Sequence, residues 1–497
     1  MKDNKFFKII TSKYVILGIQ LIISIVAVHF CFKLKLIPMK YIMGIIIALL
    51  ILLVVFFGII YSGEKKSENG TTSKRSIITK IISLLLSIAL VLGCTMLIRS
   101  DNFIDKVSDA VGQKYVISVI ALKDSDINKK SLDGKKFGVC YEKDSKTLTT
   151  ALADMEDEIG QQEYTKYDTY IQLADALYNK EVDCIVVGEQ FRSQLQVNHE
   201  NFDNETKIIT SYSYDAKLEV TTKKTDVTEK PFSVYVTGID VYGSLNTVSR
   251  SDVNLIVTVN PKTKQILMTS IPRDCEINLH SNGELDKLTH TGNYGTAETI
   301  NTIQDLLDME INYFVRTNFS GMTNIVDALG GITVESDEEF DTLHGNYHIV
   351  KGLNEMDGDM ALCFVRERKR LKAGDFARGR NQQKVLSALI DKALSPKIIT
   401  NFDRILTALE GTFETDMTSD EIRSLLNMQL DDMADWNIIN VQIEGEYYDC
   451  YETYSMYGTK SDVMKPFNSH IKRVRKLINK VEEGKKIADS ELEGLAH

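Results

Sequence analysis

The sequence predicts a membrane-anchored α/β protein with three transmembrane helices, a small α/β unit and a larger α/β domain, in that order. Three observations carry this. Three long apolar runs fill the first hundred residues, short apolar strands alternate with amphipathic helices in the next hundred, and the alternation resumes on a larger scale after a polar, threonine-rich stretch. At 497 residues with 43% hydrophobic content, the chain has room for more than one packed core.

The apolar runs are "YVILGIQLIISIVAVHFCF" (14–32), "YIMGIIIALLILLVVFFGIIY" (41–61) and "IITKIISLLLSIALVLGCTMLI" (77–98). Each is close to the roughly 20 residues needed to cross a bilayer. A signal peptide would have one shorter apolar region and a cleavage site, which is not the pattern here. Lys2, Lys5, Lys8 and Lys13 precede the first run, and Lys65, Lys66, Lys74 and Arg75 lie between the second and third. Lys33, Lys35 and Lys40 make a weaker cluster in the first hairpin. The positive-inside tendency then predicts a multi-pass protein of the cell membrane. Its N-terminus is cytoplasmic, and everything after about residue 99 is extracellular.

Residues 112–220 read as a small α/β accessory domain. "YVISVIAL" (115–122), "KKFGVCY" (135–141) and "DCIVVG" (183–188) are strand-like, and "TLTTALADMEDEIG" (147–160) and "YIQLADALYNK" (170–180) have helical spacing. The order loosely resembles one lobe of a periplasmic binding protein. "KLEVTTKKTDVTEKP" (217–231) reads as a linker. The larger domain spans 231–485, with strands expected at 233–239, 253–260 and 265–272. Helices are expected at 298–309, 322–330, 381–394 and 467–483. The stretch "GKKIADSELEGLAH" at 484–497 reads as a frayed end, with 486–497 a charged tail.

A net charge of −11 argues against a nucleic-acid partner, which usually meets a basic field. An acidic protein still binds anions where its arginines gather. Cys31 and Cys94 fall in the apolar runs. Cys140, Cys184, Cys275, Cys363 and Cys450 are scattered without zinc-site spacing and read as buried small hydrophobes, a Cys140–Cys184 bridge being the one pairing weighed.

Charged residues recur where apolar runs end. Asp240 follows the first strand of the large domain, Arg250 and Asp252 open the second, and "PRD" (272–274) closes the third with Arg273. "ALCFVRER" (361–368) places Arg366 and Arg368 two apart, on one face if the chain is extended. "GDFARGRNQQ" (374–383) adds Asp375, Arg378, Arg380, Gln382 and Gln383. A guanidinium offers a fixed fork of donors matched to phosphate oxygens, and several converging on a pyrophosphate would bind it firmly. Asp240 and Asp252 suit a hard, oxygen-liking cation such as Mg²⁺, which takes one or two carboxylates plus phosphate oxygens and water. Ordinary surface ion pairs explain any one of these pairs equally well, but not the whole set. His290 in "DKLTHTGNYG" (286–295) reads as structural, and "HGNYH" (344–348) resembles a metal pair only superficially.

Taken in order, "TGID" with Arg250-Ser251-Asp252, "SIPRD" (270–274), "DKLTHTGNYG", "NIVDALGGITV" (324–334), "GDMALCFVRERKR" (358–370) and "GDFARGRNQQKV" (374–385) resemble the LytR–CpsA–Psr (LCP) family, in its CpsA-like branch with an accessory domain. The resemblance covers about 231–485. It implies an α/β/α domain with a central mixed sheet. It implies a membrane-anchored phosphotransferase that moves a glycopolymer (capsule or teichoic-acid-like) from undecaprenyl pyrophosphate onto peptidoglycan. By position it makes Asp240 and Asp252 the ligands of Mg²⁺, with Mn²⁺ as a substitute. Arg250, Arg273, Arg366, Arg368, Gln382, Arg378 and Arg380 become the pyrophosphate clamp. Asp240, Asp252, Arg250 and Arg273 become the catalytic set, and Asp240, Asp252 and Asp375 remain open as general base. A lipid tunnel would run beside "NIVDALGGI" and "KVLSALI". The implied partners are the lipid-linked glycan donor, the peptidoglycan acceptor and membrane lipid. A membrane-bound sensor, or a lipid-phosphate-binding module without turnover, shares the arginines and stands as the alternative.

Overall fold

The computed structural model describes residues 12–65, 73–108, 112–140, 146–216, 222–239, 245–394, 404–405, 407–408, 410–411 and 413–495. The apolar runs form helices α1 (Lys13–Leu34), α2 (Met39–Lys65) and α3 (Lys74–Val107), each long and apolar enough to cross a membrane. Apolar side chains such as Ile22, Leu50 and Leu85 point outward, while Ser83 donates to Gln20 at 2.5 Å inside the bundle. That is the polar glue expected where helices meet without a hydrophobic driving force. Glu64 takes Lys13 at 3.0 Å and Lys80 at 2.9 Å, tying one end of the bundle together. At the opposite end Asn427 donates to the Lys35 carbonyl at 3.2 Å, and Arg423 holds Asp101 at 2.9 Å and Asp105 at 2.7 Å. The large domain therefore rests on the end that carries the α1–α2 hairpin.

The accessory unit is a five-stranded sheet in the order β3-β2-β4-β1-β5. Its strands are β1 (Gln113–Leu122), β2 (Phe137–Cys140), β3 (Tyr164–Tyr167), β4 (Cys184–Gly188) and β5 (Thr206–Ala216), with α4 (Lys146–Ile159) and α5 (Tyr170–Tyr178) between them. β3, β2 and β4 run parallel. Sequence reading missed β3, because an edge strand of the half-exposed run "YTKY" carries no apolar signal. It also missed β5, whose tyrosines and serines alternate without a fully apolar stretch. Cys140 and Cys184 are not bridged to each other, since β4 sets Cys184 opposite Phe137 at the other end of β2.

The large domain centres on a six-stranded mixed sheet, ordered β16-β11-β6-β7-β8-β17. In chain order it comprises β6 (Phe232–Ile239), β7 (Ser251–Asn260), β8 (Gln265–Ser270), the hairpin β9 (Glu276–Asn278) and β10 (Leu285–Lys287), α6 (Thr296–Leu307), β11 (Tyr313–Asn318) and α7 (Phe319–Ala328). Four short strands follow, β12 (Ile332–Ser336), β13 (Phe340–Asp341), β14 (His348–Ile349) and β15 (Gly352–Met356), and then helices α8 (Gly358–Arg366) and α9 (Gly374–Leu394). The chain ends with β16 (Phe413–Thr415), α10 (Ser419–Asp432), β17 (Asn437–Gln442), the pair β18 (Gly445–Cys450) and β19 (Ser461–Pro466), and α11 (Asn468–Glu482). One sheet face packs Tyr235, Ile256 and Leu267 on Ile303 of α6 and Val474 and Ile478 of α11. The other packs Val257 and Met268 towards Leu386 of α9 and Leu425 of α10. Helices on both faces of a mixed sheet make the α/β/α arrangement.

Three expectations change. "ALCFVRER" is not extended. Asp357 caps Met360 N at 2.9 Å and starts α8, whose Ala361, Phe364 and Val365 recur at helical spacing and are buried, so the shared-face argument for Arg366 and Arg368 fails. The stretch after 484 is not frayed through residue 495. Leu495 is buried in the core and Arg473 donates to the Glu491 carbonyl at 3.0 Å, because charged residues there alternate with apolar ones that reach the sheet. The described part of the linker is clamped, with Val227 buried and Thr225 N donating to the Tyr313 hydroxyl at 3.1 Å.

Candidate active site

Strand directions gather the charged residues. β7 runs antiparallel to β6 and β8, β11 runs parallel to β6, and β17 runs parallel to β8. The ends of β6, β11, β8 and β17 and the start of β7 therefore share one sheet edge. Ligands of open α/β sheets collect outside such carboxyl ends. The start of β7 is pinned by a buried network in which Tyr235 meets Ser251 at 2.6 Å and donates to Asn254 at 2.7 Å, and Thr237 meets Ser251 at 2.6 Å. Arg250 and Asp252 flank that anchored serine.

Asp252 Oδ1 accepts from Arg273 Nη1 at 2.7 Å and from the Thr289 hydroxyl at 3.1 Å. Burial alone would raise its carboxyl, but Arg273, Arg378 and Arg250 outweigh burial and hold it well below the usual carboxylate range. Asp252 in turn raises the Arg273 guanidinium further. Asp274 takes Lys287, and its carboxyl is lowered by Lys287 and Arg273 against its burial. Two buried guanidinium nitrogens lack an acceptor within hydrogen-bond reach: Arg250 Nε, and Arg273 Nε, which has Asp274 Oδ2 at 3.8 Å. Leaving a buried charged donor unpaired is costly, so these atoms point to an anion that completes them.

Helix α9 brings its N-terminal turns over the same edge. Gly379 permits this, because a Cβ there would stand 2.2 Å from Gln442 Nε2 and 3.0 Å from Ser270 Oγ. Asp375 and Arg378, one turn apart, form an ion pair. Burial raises the Asp375 carboxyl, and Arg378, Arg273 and Arg368 only partly offset it. Burial also pushes Arg378 down.

Among the predicted residues, the structure brings together Arg250, Asp252, Arg273 and Arg378, with Arg368 close enough to act on Asp375. Asp240 lies outside the described residues. Arg366 ends α8 and its charge acts on Cys363. Arg380 stands two positions from Arg378, across the helix, and turns to Gln442 Oε1 at 3.5 Å and Glu444 at 3.9 Å. Gln382 donates to the Val365 carbonyl at 3.4 Å and Gln383 to the Met268 and Val441 carbonyls at 3.0 and 2.8 Å, tying α9 to α8 and to the sheet. His290 is structural: its Nδ1 meets Asp286 at 2.6 Å in the interior. His348 meets Asp341 at 2.8 Å on the surface, and no three metal-ligating side chains converge among the described residues.

Sequence reading missed Thr289, Lys287 and Tyr447. The first two sit in "DKLTHTGNYG", where only the histidine drew notice. Gly292 of that motif packs against the Arg250 backbone, and a Cβ would lie 2.5 Å from the Ser249 carbonyl oxygen. Tyr447 comes from β18 with no local signal, packs edge-on to Phe376 at 5.7 Å, and feels Asp375, Asp274, Arg378 and Arg273.

Asp252 also suits a divalent cation. Asp252 is held ionised, as a metal ligand must be. Mg²⁺ needs only one or two carboxylates when phosphate and water supply the rest, so the donor set fits.

An arginine-lined sheet edge in a membrane-tethered α/β/α domain defines the class, and the LytR_cpsA_psr family model matches residues 194–472. The chain belongs to that family. The polyisoprenyl-teichoic acid–peptidoglycan teichoic acid transferase TagU of Bacillus cereus is 31% identical over 247 residues, 49% of this chain and 80% of that protein. Its Enterococcus faecalis counterpart is 34% identical over 200 residues, 40% of this chain and 65% of that protein. The crystal structure of B. subtilis TagV is 28% identical and covers 52% of this chain and 99% of that one, with a TM-score of 0.44. Residues 94–231 match a second model, described as NMT1/THI5 like.

Proposed function

We propose that this protein is a membrane-anchored phosphotransferase that attaches a glycopolymer, carried on a polyprenyl pyrophosphate, to peptidoglycan. The observation that carries the reading is the pair of buried Nε–H donors of Arg250 and Arg273, neither with an acceptor in hydrogen-bond reach, beside an ionised Asp252. A pyrophosphate supplies the missing acceptors. The named activity of the curated relatives, transfer of teichoic acid to peptidoglycan, agrees with it.

In this reading Arg250, Arg273 and Arg378 hold the pyrophosphate oxygens, with Arg366 and Arg368 approaching from the end of α8. An acceptor hydroxyl attacks the phosphorus that bears the polymer. A phosphodiester forms, the bridging P–O bond breaks, and polyprenyl phosphate leaves with the electron pair. The guanidiniums match the charge that builds on that leaving group. Asp252 and Asp240 would hold Mg²⁺, which supplies further charge neutralisation there when bound. The hydroxyl proton goes to Asp375. Its raised proton affinity suits a base, whereas Asp252 is held too acidic. Half-buried Ile325 of α7 and Leu386, Leu389 and Ile390 of α9 offer an apolar lining for the polyprenyl chain.

The anchor serves the donor. The large domain sits on the α1–α2 hairpin end of the bundle, and the lysine-rich flanks of the other end favour the cytoplasm, which supports a site on the extracellular side. The test is turnover by the full chain in detergent with Mg²⁺, a polyprenyl-pyrophosphate-linked oligosaccharide and a peptidoglycan fragment. A phosphodiester-linked product with polyprenyl phosphate supports the proposal. Tight donor binding with neither product overturns it.

A further inference from the structure

The accessory unit carries a cleft of its own. Its sheet has a topological switch point, because the connection leaving β2 runs through α4 to β3 on one side while the chain leaving β4 proceeds to β5 on the other. Crevices outside the carboxyl ends of strands at such points are where ligands of doubly wound sheets bind. The carboxyl end of β2 is Cys140, and the segment after β4 carries Gln194. Both line a cavity of 330 Å³, closed on its far side by the Glu452–Tyr457 loop and Tyr294 of the large domain. That volume falls at the lower end of the ~300–1,000 Å³ range of small-molecule sites.

The lining specifies the chemistry. Asp168, Glu284 and Glu452 contribute three carboxylates, and among the described residues no lysine, arginine or histidine lines the cavity, a lining that favours ligand hydroxyls. Tyr170, Tyr294, Tyr454 and Tyr457 contribute aromatic side chains to the lining, Tyr457 the most exposed of them. The Gln194 side chain is only 3% exposed, and its Nε2 donor has no partner. A buried donor asks for an acceptor oxygen, which a polyamine lacks. A sugar answers every demand, with hydroxyls that donate to the carboxylates and accept from the amide, and C–H faces that lie on tyrosine rings.

We infer that the cleft between the accessory unit and the large domain is a saccharide-binding site, taking a mono- or disaccharide unit of a glycan. The assignment stands apart from the phosphate site, and from the transfer reaction proposed there. The two are physically joined all the same. Ser455 at the cleft donates to Asp286 through its backbone N at 3.1 Å and its hydroxyl at 2.5 Å, and Asp286 holds His290 beneath Arg250. The accessory strand β1 also reaches the loop ahead of Arg250, where Val248 N donates to the Lys114 carbonyl at 2.9 Å. A glycan seated in the cleft would thus bear on the backbone that positions the phosphate clamp.

Calorimetry on the full chain in a sugar-free detergent tests this, with N,N′-diacetylchitobiose, cellobiose and maltose as saccharide probes and spermidine and inorganic phosphate as contrasting ones. At least one disaccharide should bind with saturation, and Gln194→Leu and Tyr457→Ala should each weaken it tenfold or more. Tyr457 is 73% exposed, so its replacement leaves the fold intact even if the buried Gln194 variant does not fold. Arg273→Ala should leave disaccharide binding unchanged, which keeps this site separate from the phosphate site. Absence of disaccharide binding, binding that both folded variants retain, or preference for spermidine would overturn the assignment.

Discussion

Arg273 reaches Asp252 through Nη1 at 2.7 Å, while its buried Nε–H has Asp274 Oδ2 only at 3.8 Å, beyond hydrogen-bond reach. One edge of the guanidinium is thus spent on orienting a carboxylate, and the other remains for substrate. Replacing Arg273 with lysine keeps the charge but cannot serve both directions at once. Arg273→Lys and Arg273→Ala should each lower kcat/KM by about 10²-fold or more, the scale of losing one preorganised donor to developing charge. Steady-state rates with a lipid-pyrophosphate donor check this, with thermal melting as the control for folding.

Gly292 makes a sharper structural prediction. Its missing side chain admits the Ser249–Ser251 backbone, and a Cβ would sit 2.5 Å from the Ser249 oxygen and 2.7 Å from Ser251 N. Gly292→Ala should push the Arg250 segment outward, costing about 1–3 kcal/mol as overpacking does. Catalysis should fall further than that stability loss accounts for. Melting temperature and kcat/KM measured on one preparation separate the two effects.

The rate should follow Asp375. Burial raises this carboxyl above its ordinary value, so the base form appears only at higher pH than for a solvated aspartate. The acid limb of the kcat/KM profile should therefore lie above about 3.9. Asp375→Asn should abolish the limb and lower the rate by about 10²–10⁴-fold. A profile whose acid limb survives in Asp375→Asn would move the role of base elsewhere.

Stability has a separate pH signature. Burial lowers the His290 imidazole, which donates to Asp286 as a neutral ring. The unfolded chain then takes up a proton that the folded protein refuses. Stability is full above the unfolded histidine value of about 6.5 and declines as pH falls below it. Burial works to raise Asp286, but His290 and Ser455 hold it low, so its own contribution persists to much lower pH. Melting temperatures from pH 8 to 5 should drop in the native protein and less steeply in His290→Asn.

Much of this architecture is local and therefore legible. Apolar runs of membrane length and amphipathic periods depend on residues near one another, and α1, α2, α3, β6, β7 and β8 lie close to where those patterns predict. Residue types also drew attention to this end of the sheet, because arginines recur where its apolar runs finish. Where a chain segment's own pattern was ambiguous, packing decided. "ALCFVRER" is apolar enough for a strand, and it became helix α8 because Asp357 caps it and its buried side chains recur every three to four residues.

What the sequence determined by itself was the membrane-anchored α/β class, the family and the set of charged residues. Which of these residues meet was decided by tertiary structure alone. Arg378 joins Asp252 while Arg380 turns to Gln442, because a helix separates positions two apart onto different faces. Thr289 reaches Asp252 across 37 residues, and Tyr447 reaches the cluster from β18, through contacts that no local pattern records. The saccharide cleft belongs wholly to this second kind. Its two walls come from separate domains, and the unpartnered amide of Gln194 carries meaning only once the fold has buried it.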